Sequence, residues 1–279
     1  MIEFKFNGFN TTKLNDKLCS EKEYSAVNKS NLENNIRCAI YNGNSFFKEV
    51  KNYGELLKYK DMLDLKKYTI KVLNVNEIEK SMQYNPLLNI NNDNDIWSIV
   101  NVIIENRPYD QDDMINMDAF MCDLKEKLLL KAIIGYVIDK YEDKDKNFKT
   151  IFNLLSKHKK DLDEEQNDAK ETVGLEYLFE NYQKEVKKEV NSSIICWNIY
   201  KILTKDNKKE DQIITHVLLA MLAIFSLDKA KVFNSTDEFD FSKNKNNKIA
   251  YFLIVSDEGS SVFNFMGDIF INQLTNNYK

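Results

Sequence analysis

Two prolines and seven glycines in 279 residues leave this chain almost without the residues that end helices and turn strands. Glycine supplies the positive φ of tight turns and proline stops helices, so a chain this poor in both favours long helices over a turn-dense all-β fold. Its 43% hydrophobic content is enough for one large domain or two modest ones to bury a core. Lysine and arginine number 39 against 44 acids, a net charge of -5. That balance excludes a surface-wide attraction to nucleic acid or anionic lipid and leaves only local basic strips open. Asparagine, lysine and isoleucine are heavily used, as an AT-rich coding bias would produce, and the asparagines are for that reason not read as motifs.

Cys19, Cys38, Cys122 and Cys196 lie far apart with no C-x-x-C pair, so reduced and mostly buried thiols are expected rather than a disulfide framework or zinc site. The first nine residues carry neither a basic region nor an apolar one of the kind a secretory signal needs. The longest apolar stretch, residues 217–227, is about half of a bilayer span. A cytoplasmic protein is expected.

Three β-like runs occupy the first quarter, at residues 2–6, 45–50 and 68–75, with a helical pattern at 58–67 between the last two. Strand, helix, strand over 46–75 predicts parallel strands joined by a right-handed crossover. A fourth run, Ile249 to Val255, is continuously apolar, as in a strand covered on both faces, and a helix at 261–276 follows it. Between the third and fourth runs the pattern is helical almost throughout. The helices expected there are one opened by Asp95 as its cap, with Pro108 just past its end, one at 118–141 with Phe120, Leu124, Leu128, Ile134 and Val137 inward, and four more at 148–155, 175–186, 192–203 and 211–225. The last is apolar nearly all round and is expected at the centre. Residues 157–170 and 205–211 read as charged, solvated connections. The division that follows is an α/β part at 1–90, an inserted all-α domain at 91–240, and a returning strand and helix at 241–279.

The closing stretch Ile249-Ala-Tyr-Phe-Leu-Ile-Val255, Ser256-Asp257, then Phe263-Asn264-Phe265 and Gln273-Leu274 resembles the TraG family, the coupling ATPases of conjugative type IV secretion. Family members show a similar apolar strand, a Pro-Asp turn and a Phe-Asn-Phe helix; here Ser256 stands where the proline would be. Other blocks fall in the family's order. Tyr84-Asn85-Pro86-Leu87 is similar to its Asn-Pro-Leu turn. Asp118-Ala119-Phe120, followed by Leu128-Leu129 and Ala132, is similar to its Asp-Pro-Phe-Trp helix, with Ala119 and Met121 replacing the proline and tryptophan. Leu222-Ala223-Ile224-Phe225 and Thr236-Asp237-Glu238-Phe239-Asp240 resemble the end of the family's inserted domain and its return to the nucleotide-binding sheet. The resemblance implies an α/β fragment of a RecA-like P-loop NTPase domain carrying a large inserted all-α domain, helix-dominated overall.

A phosphate loop of the form G-x-x-x-x-G-K-[ST] needs its glycines because the backbone turns through positive φ and brings N–H groups against phosphate oxygens. The best-placed octet is Glu23-Tyr24-Ser25-Ala26-Val27-Asn28-Lys29-Ser30. Lys29 and Ser30 fit as degenerate nucleotide-contacting positions; Glu23 and Asn28 replace both glycines. Family members also carry Asp-Pro-Lys-Gly-Glu-Leu after the next strand, and here Lys51-Asn52-Tyr53-Gly54-Glu55-Leu56 keeps Gly-Glu-Leu without the aspartate. The family's Mg-binding acidic strand would lie beyond Lys279, and its N-terminal membrane helices are not found. The expectation is a non-enzymatic interaction protein with no cofactor and no catalytic or metal-binding residues, binding a relaxase–DNA cargo or type IV secretion components. Two alternatives stay open: a subunit of a composite P-loop ATPase, and a decayed remnant of a mobile element.

His158 and His216 have no second histidine or cysteine at ligand spacing, and His216 is expected at the core edge with one ring nitrogen bonded internally. Asp110, Asp112 and Asp113 lack the glycine and spacing of a calcium loop and read as solvated. No G-x-S-x-G elbow occurs. Lysine runs at 157–160, 184–188, 205–209 and 243–248, with Tyr177, Tyr182 and Trp197 nearby, leave direct DNA binding open, although Glu185, Glu189 and Asp163 to Glu165 dilute the field.

Overall fold

The computed structural model describes residues 2–6, 9–14, 29–106, 117–165, 174–186, 190–205, 207–225, 233, 236–241, 247–255 and 264–277. The chain divides into two compact units, one of Met1–Tyr84 with Asp237–Lys279 and one of Asn85–Thr236.

In the first unit, β1 (Ile2–Phe6) and β2 (Phe9–Leu14) form an antiparallel pair. A separate three-stranded parallel sheet holds β3 (Phe46–Val50), β4 (Thr69–Asn74) and β5 (Ile249–Ile254) in the order β3-β5-β4. The two early strands are parallel, as their pattern predicts, but they are not neighbours. The strand from the far end of the chain fills the slot between them, aligning Ala250 with both Phe46 and Ile70. All six residues of β5 are buried, the physical counterpart of its unbroken apolar run.

Helices α1 (Lys29–Asn42) and α2 (Tyr53–Leu65) cover one face of this sheet. Ile36 and Ile40 of α1 and Leu56, Tyr59 and Leu63 of α2 close over Phe46, Val50, Val72, Phe252 and Ile254. The opposite pleat carries Phe47, Leu73, Tyr251 and Leu253. There the last helix, Asn264–Asn277, packs Phe270 into an aromatic cluster with Phe47, Tyr84, Phe239, Phe241 and Tyr251. The outer edge of β4 is closed by its own chain: Met82 N–H donates to Val72 O at 3.0 Å and Asn74 N–H to Ser81 Oγ at 3.0 Å.

The second unit consists of α3 (Asp93–Glu105), α4 (Met117–Lys140), α5 (Phe148–Glu165), α6 (Leu175–Val186), α7 (Ser192–Leu203) and α8 (Asn207–Phe225), with short 3-10 turns; the last helix of the first unit is α9. Several expectations change here. The centre is α4, which packs against α3, α5, α7 and α8 and buries Leu128 to Leu130 and Ala132 to Ile134 completely or nearly so. α8, whose residues 211–225 read as apolar nearly all round, leaves Leu219 and Leu222 in solvent. Phe120, expected inward, is 61% exposed, because the apolar spacing that fits the bundle begins only at Leu128. The run 157–165 is helix and not loop: Phe148, Ile151, Leu155 and His158 make one buried stripe, and the lysines occupy its other face. Residues 207–211 likewise belong to α8, with Glu210 buried.

The asparagines set aside as coding bias start the helices. Asn52, Asn85, Asn92 and Asn191 each accept backbone N–H groups of the turn they open. Asp95 is therefore not the cap of α3. Asn92 is, and Asp95 closes the reciprocal half of a capping box by accepting from Asn91 N–H and Asn92 N–H at 2.9 and 3.2 Å. Pro108, Asp110, Asp112, Asp113 and Cys19 lie outside the described residues. Cys122 and Cys196 are free thiols, Cys196 buried and Cys122 half-buried.

The α4–α7 crossing depends on Gly135, where an added Cβ would stand 1.8 Å from Ser193 Oγ and 3.0 Å from Ser193 Cβ. Gly135→Ala is expected to destabilise by about 1–3 kcal/mol, the usual cost of overpacking. Chemical denaturation checks it, and Gly135→Ala combined with Ser193→Gly should recover part of the loss, as a direct clash requires.

Candidate functional site

Ligands of open α/β sheets bind outside the carboxyl ends of the strands. Here β3 hands the chain to α2 at that edge, and the N-terminus of α2 presents the unpaired N–H groups that attract an anion. One of them is already engaged. Asn52 Oδ1 accepts from Glu55 N–H at 3.2 Å, and the Glu55 carboxylate reaches back to accept from Lys51 N–H at 3.1 Å. The protein's own carboxylate thus sits at the positive end of α2. A Cβ at Gly54 would press on Asn52 Oδ1 at 3.0 Å, so the glycine leaves room for the capping side chain, and Leu56 is buried against the sheet. The retained Gly-Glu-Leu is accounted for by capping and packing, and Lys51 stands where the resemblance expects an aspartate.

The neighbouring strand end is built on Asn74, which is fully buried. Its Oδ1 accepts from Asn76 N–H at 3.0 Å and Glu77 N–H at 2.9 Å, which turns the chain off β4. Its Nδ2 and Asn76 Oδ1 are enclosed without a protein partner. Tyr53 donates its hydroxyl to Lys80 O at 2.5 Å, pinning the start of α2 to that turn, and Lys80 pairs with Glu77. Burial raises the Tyr53 phenol above its ordinary range.

Lys29 and Ser30 form the first turn of α1, and their side chains lie outside the described residues, as do Glu23 to Asn28 altogether. The return block is well placed. The Lys71 ammonium, buried on β4, donates to the carbonyls of Glu238 and Phe239, the latter at 2.9 Å, and lies over the Phe239 ring. Burial pulls Lys71 below the usual lysine range, against the pull of Asp237, Asp240 and Glu238. Tyr84 of the Asn-Pro-Leu block is fully buried and donates to Gln273 Oε1 at 2.6 Å. Next to it, Asn85 Oδ1 caps the turn at Pro86.

In the helical unit, His216 Nδ1 meets the buried Glu126 carboxylate at 2.9 Å, the internally bonded core-edge histidine expected. His158 lies deeper, beside Glu210. Lys131, wholly enclosed on α4, bonds Asp93 at 2.6 Å and Ser192 Oγ at 3.0 Å. Periodicity gives no warning of such a lysine, because it occupies an apolar slot. Trp197 and Tyr182 are core residues, Trp197 stacked on Phe179 at 4.4 Å, so neither is available for base stacking. Exposed lysines of the basic runs include Lys157, Lys160, Lys184 and Lys205, whereas the side chains of Lys208 and Lys209 and all of Lys187, Lys188, Lys243 and Lys245 lie outside the described residues. One outward face is apolar: Ile195, Ile199 and Ile202 on α7 follow i, i+4, i+7 and are 44%, 41% and 62% exposed. Among the described residues no cluster of three or more His, Cys, Asp or Glu side chains could hold a metal, and no helix is long and apolar enough to cross a membrane.

The family model of the type IV secretory system conjugative DNA transfer proteins matches residues 62–279, which spans β4, the helical unit, β5 and α9. The chain belongs to this family, and its setting is a type IV secretion, conjugative DNA transfer system. No curated protein matches the chain.

Asn52→Ala removes the α2 cap and frees Glu55 N–H at the sheet edge. A loss of about 1 kcal/mol is expected, read from the denaturation midpoint, with a smaller loss for Asn52→Asp.

Proposed function

We propose that this chain is a non-catalytic member of the conjugative DNA transfer family, a binding protein that contacts relaxase–DNA cargo or secretion components through its helical unit. In this reading the three-stranded unit is a fragment of a RecA-like domain whose phosphate loop has degenerated. The observation that carries it is the pair Glu23 and Asn28, standing where a phosphate loop requires glycines. Without those glycines the backbone loses the positive φ that brings N–H groups against phosphate oxygens, and a carboxylate about 4 Å from a phosphate would cost on the order of 1–4 kcal/mol. The Glu55 carboxylate at the start of α2 supports the same conclusion, since it puts an anion at the sheet edge. The isoleucine row on α7 supports a binding role, because an apolar stripe left in solvent is a surface for another macromolecule.

Calorimetric titration with Mg-ATP is expected to give no binding heat, and the purified chain no turnover above background. Micromolar affinity with Mg-dependent hydrolysis overturns the reading. Ile199→Asp together with Ile202→Asp is expected to weaken binding to the cognate relaxase by about ten-fold or more while the circular dichroism spectrum stays unchanged.

A second reading, membership of a composite ATPase, is favoured by the placement of Lys29 and Ser30 in the first turn of α1, the position a phosphate loop's Lys-Ser pair takes. It predicts hydrolysis only when the chain is mixed with its partner subunit, and loss of that activity in Lys29→Ala.

A further inference from the structure

In a parallel sheet the helices that lead into strands end at the amino edge, so the C-termini of α1 and α2 and the residue before β5 come together there. Contacts hold the grouping: Lys66 Nζ lies 4.6 Å from the centre of the Tyr41 ring, Lys248 passes against Gly43, and Thr69 N–H donates to Lys248 O at 2.9 Å. Arg37 stands one turn before Tyr41 on the same face of α1. Arg37, Lys67 and Lys248 are exposed and Lys66 is half-buried. Among the described residues no carboxylate pairs with any of these four cations. The acids of α2 nearest this edge, Asp61 and Asp64, act on Lys60 instead, Asp64 at 2.6 Å. Between the cations stand Tyr41 and Leu65, two of the most exposed large apolar side chains at 75% and 80%. The dipole of α2 favours cations at its end, yet Lys67 occupies the left-handed position, φ 58°, that a glycine would hold without strain. A charged side chain is kept there against the preference of the backbone.

We propose that this amino edge is a docking surface for an anionic lipid bilayer, with Leu65 and Tyr41 seated among the headgroups and Arg37, Lys66, Lys67 and Lys248 against lipid phosphates. The mixture of side chains selects lipid. Cations with an exposed leucine and tyrosine between them suit a surface that is negative outside and apolar just beneath, where tyrosine rings settle and lysine stems extend along hydrocarbon. A nucleic-acid strand offers the same phosphates, but it has no apolar layer to receive Leu65, and Lys66 already covers one face of the Tyr41 ring on which a base would stack. The net charge of -5 gives the whole chain no attraction to an anionic surface, so a bilayer is met through a local cationic edge such as this one. Docked in this way, the carboxyl edge of the sheet, at the far end of the same strands, faces away from the membrane.

The test is co-sedimentation of the full chain with vesicles. Binding is expected to phosphatidylglycerol vesicles and not to phosphatidylcholine vesicles, and it should weaken with added salt. Each cation near an anionic surface contributes about five-fold to partitioning, so Lys66→Gln with Lys248→Gln is expected to lower it by about 25-fold. Lys67→Gly removes a charge and suits the left-handed backbone; it should lose about five-fold in vesicle binding while its denaturation midpoint is unchanged or raised. Leu65→Ser keeps every charge and is expected to weaken binding by about ten-fold. Absence of binding to phosphatidylglycerol vesicles, or equal binding by wild type and the lysine variants, overturns the proposal. Vesicle binding that Leu65→Ser leaves unchanged overturns it too, and a single-stranded oligonucleotide held through the same lysines would then assign the edge to nucleic acid.

Discussion

The sheet of the first unit exists only because β5 lies in its middle. β3 and β4 are separated from each other by one strand's width, and the strand that fills it is more than 170 residues away in the chain, measured from Asn74 to Ile249. Both early strands hydrogen-bond to β5 and not to each other, so neither has a parallel partner until the chain has returned. The covering layers follow from the same strand. Ala250, Phe252 and Ile254 face α1 and α2, while Tyr251 and Leu253 face α9 and the aromatic cluster around Phe270. A two-sided apolar strand is the one kind of sequence that can hold this place, since a polar side chain on either pleat would be enclosed without water. Lys71 shows how the return is held: its ammonium takes the carbonyls of Glu238 and Phe239 just before the chain re-enters the sheet.

The helical unit is organised by a different balance. Its apolar contacts close around α4, but its helix starts and several inter-helix contacts are polar. Asn92 and Asn191 cap α3 and α7, and the side chains just inside those caps, Asp93 and Ser192, meet on the enclosed ammonium of Lys131. Glu210, His158 and Lys201 tie α8 to α5 and α7 in the same manner. Buried charges of this kind add little net stability but punish any packing that leaves one unpaired, which fixes how the helices sit on one another.

Membership in the conjugative DNA transfer family and the state of the sheet's carboxyl edge point in complementary directions. The matched residues include the helical unit and the return to the sheet. At the edge where α/β proteins hold their ligands, Asn52 and Glu55 occupy the start of α2 and Tyr53 ties it down. In the same segment Glu55 closes the cap and Leu56 is buried against the sheet.

Local sequence determined the existence and type of many described elements, because apolar spacing is a property of neighbours along the chain: the unbroken run at 249–254, the helices at Leu175–Val186 and Ser192–Leu203, and the short apolar runs of β3 and β4 were legible, whereas β2 and α1, short of apolar residues, were not. What only the tertiary structure decided was order and enclosure. That β5 enters between β3 and β4, that α4 and not the more apolar α8 is central, and that Lys131, His158 and Glu210 are buried all depend on partners far away in sequence. The asparagine caps fall between the two. Their side chains are written in the sequence, but an asparagine becomes a cap only where the backbone actually starts a helix, and in a chain rich in asparagine that is settled by where the packed helices begin.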